Sequence, residues 1–168
     1  EEAVQQVRIA GKIDPLSPQI HVDQVIVLIA AGRYDEAAGH SLKLPSDNPY
    51  KGQCLRRSRL WQGRTGEAIQ ILEKARGGLD RAYLGHAYGR AGRREDAEKI
   101  AAELSPNPFQ QALVFAGLGD KERTMEAFER MTMLGPLRIG RALTYPEFAL
   151  LRGDPRVKAV RKKVGLPE

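Results

Sequence analysis

The sequence predicts an all-α protein built as an array of antiparallel helical hairpins. The first observation is a phrase that occurs four times, as AGRYDEA (31–37), QGRTGEA (62–68), AGRREDA (91–97) and LGDKERT (118–124). The second is that apolar residues precede the phrase at helical spacing, as at Leu79, Tyr83 and Ala87. The third is that prolines fall between the copies, where a helix interior does not tolerate them. Repetition at this interval is typical of stacked helical units.

Each phrase is predicted to be the turn of one hairpin. A glycine ends the first helix, because it readily takes the left-handed conformation that a helix C-terminus often needs. Acidic residues follow, and the helix dipole favours them in the first turn of the second helix. A small residue five positions after the glycine lets the two helices approach; these are Ala37, Ala68, Ala97 and Thr124. The phrase is therefore interpreted as scaffold rather than chemistry.

In chain order, the prediction is a repeat array over residues 1–142 and a capping segment over 143–168. The array comprises a trailing half-repeat and four hairpins, at 1–14 and at about 17–45, 49–76, 79–104 and 106–134. In the capping segment, Asp154 is a favourable N-cap and Pro155 suits the first helical position. Valines at 157, 160 and 164 then give an apolar stripe, which suits a helix that closes the end of such an array.

The hairpins resemble the tetratricopeptide repeat, a helical pair of about 34 residues. The third copy carries Leu84-Gly85-His86-Ala87-Tyr88, followed by Gly92 and Ala97, at the spacing of that family. Ser41 departs from the pattern, because a large apolar residue is usual there. The resemblance spans about residues 1–136, and it implies a right-handed superhelical α-solenoid that binds proteins.

The tail carries a second resemblance. Its PEF, LLR, DPR and GL elements (146–166) are similar to the end of repeat arrays in bacterial transcriptional regulators, Ser/Thr kinases and nucleotide cyclases. The resemblance implies the C-terminal part of a larger bacterial regulatory protein.

Composition and charge argue against a disulfide-stabilised protein and against a membrane-spanning one. The chain has 168 residues, a net charge of +6 and one cysteine, Cys54, so an internal disulfide is excluded. Its longest apolar run, 25–31, is far shorter than the roughly 20 residues that span a bilayer, and no signal peptide is recognisable. We therefore expect a cytoplasmic protein without a membrane span. Most of the net positive charge comes from residues 152–163, where six cations accompany a single acid, Asp154.

No pattern indicates catalysis, a cofactor or a metal. The motifs G-x-S-x-G and G-x4-G-K-[ST] are absent, and so are His-x3-His and Cys-x2-Cys spacings. We expect the three histidines, His21, His40 and His86, to lie on different hairpins. The expectation is a chain that is not an enzyme and that has no catalytic, cofactor-binding or metal-binding residues.

The predicted functional site is a concave groove lined by the first helices of the hairpins, because arrays of this kind hold an extended peptide or a helix there. Its predicted lining residues are Val22, Ile26, Ile29, Tyr50, Gln53, Arg57, Leu60, Ala82, His86, Arg90, Phe109 and Leu113. Trp61 is interpreted as a packing residue and Cys54 as a small buried one. The expected ligand is a protein or peptide partner.

Two other interpretations stay open. A nucleic-acid binder would use the basic tail and the arginine-rich second hairpin, although the tail is interpreted first as the outer face of a capping helix, with Lys158, Arg161 and Lys162 on that face. A self-associating scaffold would use an open N-terminal face, formed by Val4, Val7 and Ile9.

Overall fold

The computed structural model describes residues 1–48, 50–75 and 77–167, and the regular structure in these ranges is helical. Residues 49 and 76, which bound the predicted second hairpin, and residue 168 of the capping segment lie outside the described residues. The α-helices are α1 (Glu2–Ile13), α2 (Pro18–Ala30), α3 (Tyr34–Lys43), α4 (Lys51–Trp61), α5 (Thr65–Lys74), α6 (Gly78–Arg90), α7 (Arg94–Glu103), α8 (Pro108–Gly117), α9 (Lys121–Met131), α10 (Pro136–Leu143) and α11 (Pro155–Lys163). Short 3-10 helices cover Thr132–Leu134 and Pro146–Leu151. The all-α prediction is confirmed.

The helices pack mainly against their neighbours in the sequence, which is consistent with a helical-repeat array. The chain divides into two compact units, residues 1–71 (unit 1) and residues 72–168 (unit 2). In unit 1, α1 packs against α2, and α3 packs against both α2 and α4. In unit 2, α6 and α8 form the most extensive helix pair, and α7 and α9 pack beside them. None of the helices in the described ranges has the length and apolar composition that a bilayer crossing requires.

The four repeated turns share one backbone geometry. Their glycines, Gly32, Gly63, Gly92 and Gly119, have φ angles of 75°, 77°, 77° and 71°. In each turn, the residue after the glycine donates its amide hydrogen to the carbonyl oxygen of the residue four positions before the glycine. In the first turn this bond runs from Arg33 N to Leu28 O at 2.9 Å. This bond is the longer closure of the Schellman motif, and it satisfies a carbonyl that the helix end would leave without a partner. The prediction that glycine ends the first helix is confirmed.

The second helix of each hairpin begins as predicted. Acidic residues occupy the first turns of α3, α5, α7 and α9, as Asp35, Glu67, Glu95 and Glu122 illustrate. The small residues predicted between the helices, Ala37, Ala68, Ala97 and Thr124, are all 0% exposed. A larger side chain at these positions would therefore meet packed neighbours rather than solvent.

Unit 2 contains a close contact between two helix backbones. A Cβ atom built on Gly89 of α6 would lie 2.6 Å from the carbonyl carbon of Gly117 on α8, and one built on Gly117 would overlap the backbone of His86. One turn earlier, a Cβ on Gly85 would lie 2.7 Å from Val114 Cγ2. Since real Cβ atoms do not come this close to backbone atoms, α6 and α8 cross where neither helix carries a side chain.

The end of the chain is fixed to α9 by a charged cluster. Asp154 caps α11 by accepting from Arg156 N at 2.9 Å, and Pro155 is the first helical residue, as predicted. The Arg156 guanidinium also donates to both carboxylate oxygens of Glu122 on α9, at 2.7 and 3.0 Å. The same guanidinium donates from Nη2 to Asp154 Oδ2 at 2.9 Å. This side-chain bond is the largest cause that holds the pKa of Asp154 well below its usual range, and the backbone bond from Arg156 N also lowers it. Val160 is buried on the inner face of α11, which packs against α9 and α10.

Candidate partner-binding surface

Most side chains of the predicted groove are buried. Seven of those predicted for the site have less than a tenth of their surface exposed: Val22, Ile26, Ile29, Arg57, Leu60, His86 and Leu113. Ala82 is also buried. For α2 the reason is that apolar residues occur around the whole helix, so that Val25 and Leu28 are buried as well. Tyr50, Gln53 and Phe109 are half-buried and Arg90 is exposed, so these four keep surface for a partner.

In unit 2, one residue of the predicted groove, Phe109, packs against the 3-10 segment Pro146–Leu151. Phe109 of α8 contacts Phe148 edge to face, with ring centroids 6.0 Å apart. Tyr83 of α6 donates from its hydroxyl to Glu147 Oε1 at 3.2 Å. Phe148 also packs edge to face on Phe128 at 4.8 Å. The C-terminal segment therefore lies against Phe109, whereas His86 and Leu113 are buried in the contact between α6 and α8, and Arg90 stays exposed.

The buried polar residues that the sequence singled out have packing roles. His86 donates from Nδ1 to the carbonyl oxygen of Leu113 at 2.9 Å, which links α6 to α8 and fixes the tautomer of the ring. Cys54 is 1% exposed, and burial raises the pKa of its thiol to about 11, so the reactive thiolate is not populated at neutral pH. Trp61 stacks on Tyr34 with ring centroids 6.1 Å apart, as expected of a packing residue.

The expectation that the three histidines lie on different hairpins is wrong for two of them. His21 of α2 and His40 of α3 lie across one hairpin, with ring centroids 5.5 Å apart. His21 Nδ1 and His40 Nε2 are buried without a hydrogen-bond partner in the structure. Burial lowers the pKa of His40, and the neighbouring His21 and Lys43 lower it further. The antiparallel course of the helices brings together residues whose sequence spacing suggests no pair. Within the described ranges, no group of three or more metal-ligand side chains forms.

The predicted N-terminal face is not a single open surface. Val4 is 1% exposed and packs in the core, Val7 is half-buried, and Ile9 is 47% exposed. Positions 4 and 9 are five residues apart, so they point to different sides of α1. Val4 therefore belongs to the contact with α2, and Ile9 lies outside it.

Only some of the cations in the basic tail are exposed and could bind a partner. Arg156 is engaged by Glu122 and Asp154, and Arg161 donates to the carbonyl oxygen of Pro167 at 2.7 Å. Lys158, Lys162 and Lys163 are exposed. On the predicted outer face, the ammonium groups of Lys158 and Lys162 are therefore exposed, while the Arg161 guanidinium is hydrogen-bonded to the backbone.

A shallow hollow of about 580 Å³ lies near the end of unit 2, and it is called the C-terminal hollow below. It is lined by Ser105, Pro106 and Pro108 between α7 and α8, by Arg130, Thr132 and Met133 at the end of α9, and by Lys163 of α11. The charged side chains in this lining are both cations. This surface assembles residues that lie far apart in the sequence, so no local sequence pattern predicts it.

Large apolar side chains are exposed to solvent in the segment that begins at Met133, a residue of the hollow. Met133, which lines it, is 85% exposed, and Leu134 and Leu137 are 47% and 82% exposed. They surround Gly135, whose φ of 82° turns the chain between the 3-10 helix and α10. Met133, Leu134 and Leu137 thus place three exposed apolar side chains within five positions of the chain.

Comparison with models of known protein families gives no match, and comparison with curated proteins gives no relative.

Proposed function

We propose that this chain is a non-catalytic interaction module of the tetratricopeptide type, which binds a protein or peptide partner. The observation that carries the proposal is the shared geometry of the four turns, in φ and in hydrogen bonding. Arrays that repeat one hairpin hold their scaffold constant and vary the exposed side chains, and this arrangement suits binding better than chemistry. The superhelical course and the regulatory parent protein remain predictions from the resemblances.

The burial of the predicted groove residues changes which side chains could bind a partner. A groove that used Arg57 or Leu113 would have to recruit side chains that are 1% and 0% exposed. Binding must instead use side chains with surface to offer, such as Tyr50 and Gln53 in unit 1 or Arg90 in unit 2. Substituting Arg57 would disturb the core of unit 1, so it does not test binding.

The proposal is tested by selecting peptides from a random display library on the immobilised chain, then measuring the affinity of synthetic copies by fluorescence anisotropy. We expect enriched sequences that bind saturably. Arg90→Glu tests a contact at the end of α6, and Lys99→Glu, an exposed position on α7, is the matched charge control. A chain that folds and enriches no sequence in repeated selections would contradict the proposal.

Nucleic-acid binding is the second candidate, and the exposed Lys158, Lys162 and Lys163 of α11 favour it. Binding to phosphates releases counterions, so its affinity falls steeply with salt. A gel-shift titration at low and moderate salt should show a retarded band that weakens with salt and disappears on substitution of the three lysines. No shift at micromolar protein would remove this candidate.

A further inference from the structure

We propose that the C-terminal hollow is a docking site for an acidic peptide segment that carries large apolar side chains. The inference rests on the proposed function, since it assumes that the chain binds a peptide partner. It names a surface that sequence analysis did not predict, together with the chemistry of its occupant.

The size and walls of the hollow suit a side-chain anchor. A volume of about 580 Å³ lies in the roughly 300–1,000 Å³ range typical of ligand pockets. Pro106 and Pro108 form part of its wall, and proline rings are rigid apolar surfaces that lose no side-chain entropy on binding. The hollow is open to solvent, so a chain can lie across it and place one side chain inside.

The charges of the lining select the sign of the ligand. Arg130 and Lys163 come from different helices and are both exposed, and the lining includes no carboxylate. Arg130 is oriented by donating from Nη2 to Gln111 Oε1, which leaves other guanidinium hydrogens for a ligand. Arg138 adds an exposed cation directly after Leu137. Carboxylates of an incoming segment would meet two positive charges without displacing an acidic side chain of the lining.

The apolar residues distinguish a peptide from a nucleic acid. Met133, Leu134 and Leu137 offer aliphatic surface, which attracts leucine or phenylalanine side chains. Single-stranded nucleic acids are instead held by aromatic side chains on which bases stack, and neither the lining nor these three residues include an aromatic. A methionine that is 85% exposed also adapts its shape to different apolar partners. The exposed apolar side chains and the two cations of the hollow therefore suit an acidic, amphipathic segment.

The experiment uses the full chain and three fluorescein-labelled synthetic peptides of equal length. One alternates Asp and Glu with Leu and Phe, the second replaces Leu and Phe by Ser, and the third replaces Asp and Glu by Lys. We expect the first to bind, and the other two to bind at least about tenfold more weakly, a difference of roughly 1.4 kcal/mol. Affinity should fall with added NaCl, because surface charges are screened.

Two pairs of variants locate the site. Arg130→Glu with Lys163→Glu reverses the charge of the hollow, and Lys12→Glu with Lys43→Glu makes the same change at exposed positions of unit 1. Met133→Ser with Leu137→Ser removes side chains that are 85% and 82% exposed, and Ile13→Ser with Leu16→Ser removes ones that are 78% and 86% exposed. The two serine variants alter exposed residues and should unfold at the temperature of the unsubstituted chain. The two charge reversals each place glutamates in the last turns of two helices, where the helix dipole disfavours them, so both should show a similar small decrease in unfolding temperature.

We expect the two hollow variants to lose about tenfold or more in affinity for the acidic apolar peptide, and the two control variants to retain it. Failure of that peptide to bind, or equal losses in the control variants, would overturn the inference. If the display selection enriches peptides whose binding the hollow variants do not change, the proposed function stands and this site is wrong. If it enriches nothing, the proposed function itself fails.

Discussion

The two units use the same turns but fill their interiors differently. In unit 2, α6 and α8 meet backbone to backbone at Gly89 and Gly117, and aromatic rings such as Phe128 and Phe148 close the core beside them. In unit 1, the contact between α3 and α4 includes buried hydroxyl groups. Ser41 of α3 and Ser58 of α4 are 0% exposed, with their hydroxyl oxygens 3.1 Å apart.

This difference shows that the repeated phrase determines the turn and leaves the packing between helices to other residues. Each serine hydroxyl also lies within hydrogen-bond distance of a carbonyl of its own helix, Ser41 of Ala37 O at 2.8 Å and Ser58 of Cys54 O at 2.9 Å. Because each hydroxyl has a single proton, a serine that donates to the other serine gives up the bond to its own carbonyl. Nearby, His40 Nε2 and Gln24 Oε1 are buried without a partner in the structure. The close contact between α6 and α8 in unit 2 tolerates no added atom. The buried polar groups of unit 1 depend for their stability on the hydrogen bonds that they make.

The largest expected effect is that of an added methyl group in unit 2. Gly117→Ala places a Cβ against the backbone of His86, and since neither backbone is free to move, α6 and α8 must separate. We expect a loss of about 3 kcal/mol in the free energy of unfolding, the upper part of the range for overpacking. Urea denaturation measures the loss, and hydrogen exchange should localise it to α6 and α8.

The matched control is Gly39→Ala in the interior of α3. Nothing lies within 4 Å of a Cβ at this position, so the substitution adds only helix propensity. We expect a gain of about 1 kcal/mol. If Gly117→Ala were as well tolerated as Gly39→Ala, the close backbone contact in unit 2 would be disproved.

The turns should respond equally in both units. Gly32→Ala in unit 1 and Gly92→Ala in unit 2 force an alanine into φ near 75° and 77°, with open space around the added methyl group. Because the cost is conformational and not steric, each should lose about 1 kcal/mol. Thermal or urea unfolding of the two variants measures this. Losses that differ by more than their experimental error would show that the turns are not equivalent.

The serine pair of unit 1 should show coupling of a smaller size. Ser41→Ala and Ser58→Ala each remove one hydroxyl and should cost about 1 kcal/mol, the net value of a typical hydrogen bond. The double variant should lose less than the sum, because the contact between the hydroxyls is lost only once. A double-mutant cycle in urea measures the coupling, and strict additivity would mean that each serine stabilises only its own helix.

Local structure could be predicted from the sequence because its causes are local. The glycines, the acids after them and the small buried residues each act within one hairpin, and so does the cap at Asp154. The contact of Phe109 with the C-terminal segment could not be predicted in this way. Phe148 contacts Phe109 across 39 residues of chain, and no spacing rule indicates that an aromatic residue of the cap folds back onto α8. The C-terminal hollow was missed for the same reason.

The smallest expected effect is a pH dependence confined to unit 1. Burial, His21 and Lys43 lower the pKa of His40 in the folded chain, while Glu36 opposes them, so the unfolded chain binds a proton more readily than the folded one does. Stability is then fully present above the ordinary histidine pKa, and is lost as the pH falls from that value through the lower pKa of the folded state. Hydrogen exchange of α2 and α3 between about pH 5 and pH 8 measures this loss, once corrected for the intrinsic exchange rate. His40→Gln removes the titrating group and should flatten the profile. Lys43→Gln removes one of the causes that lower the pKa and should weaken the dependence without abolishing it. An unchanged profile in His40→Gln would contradict the assignment to this histidine.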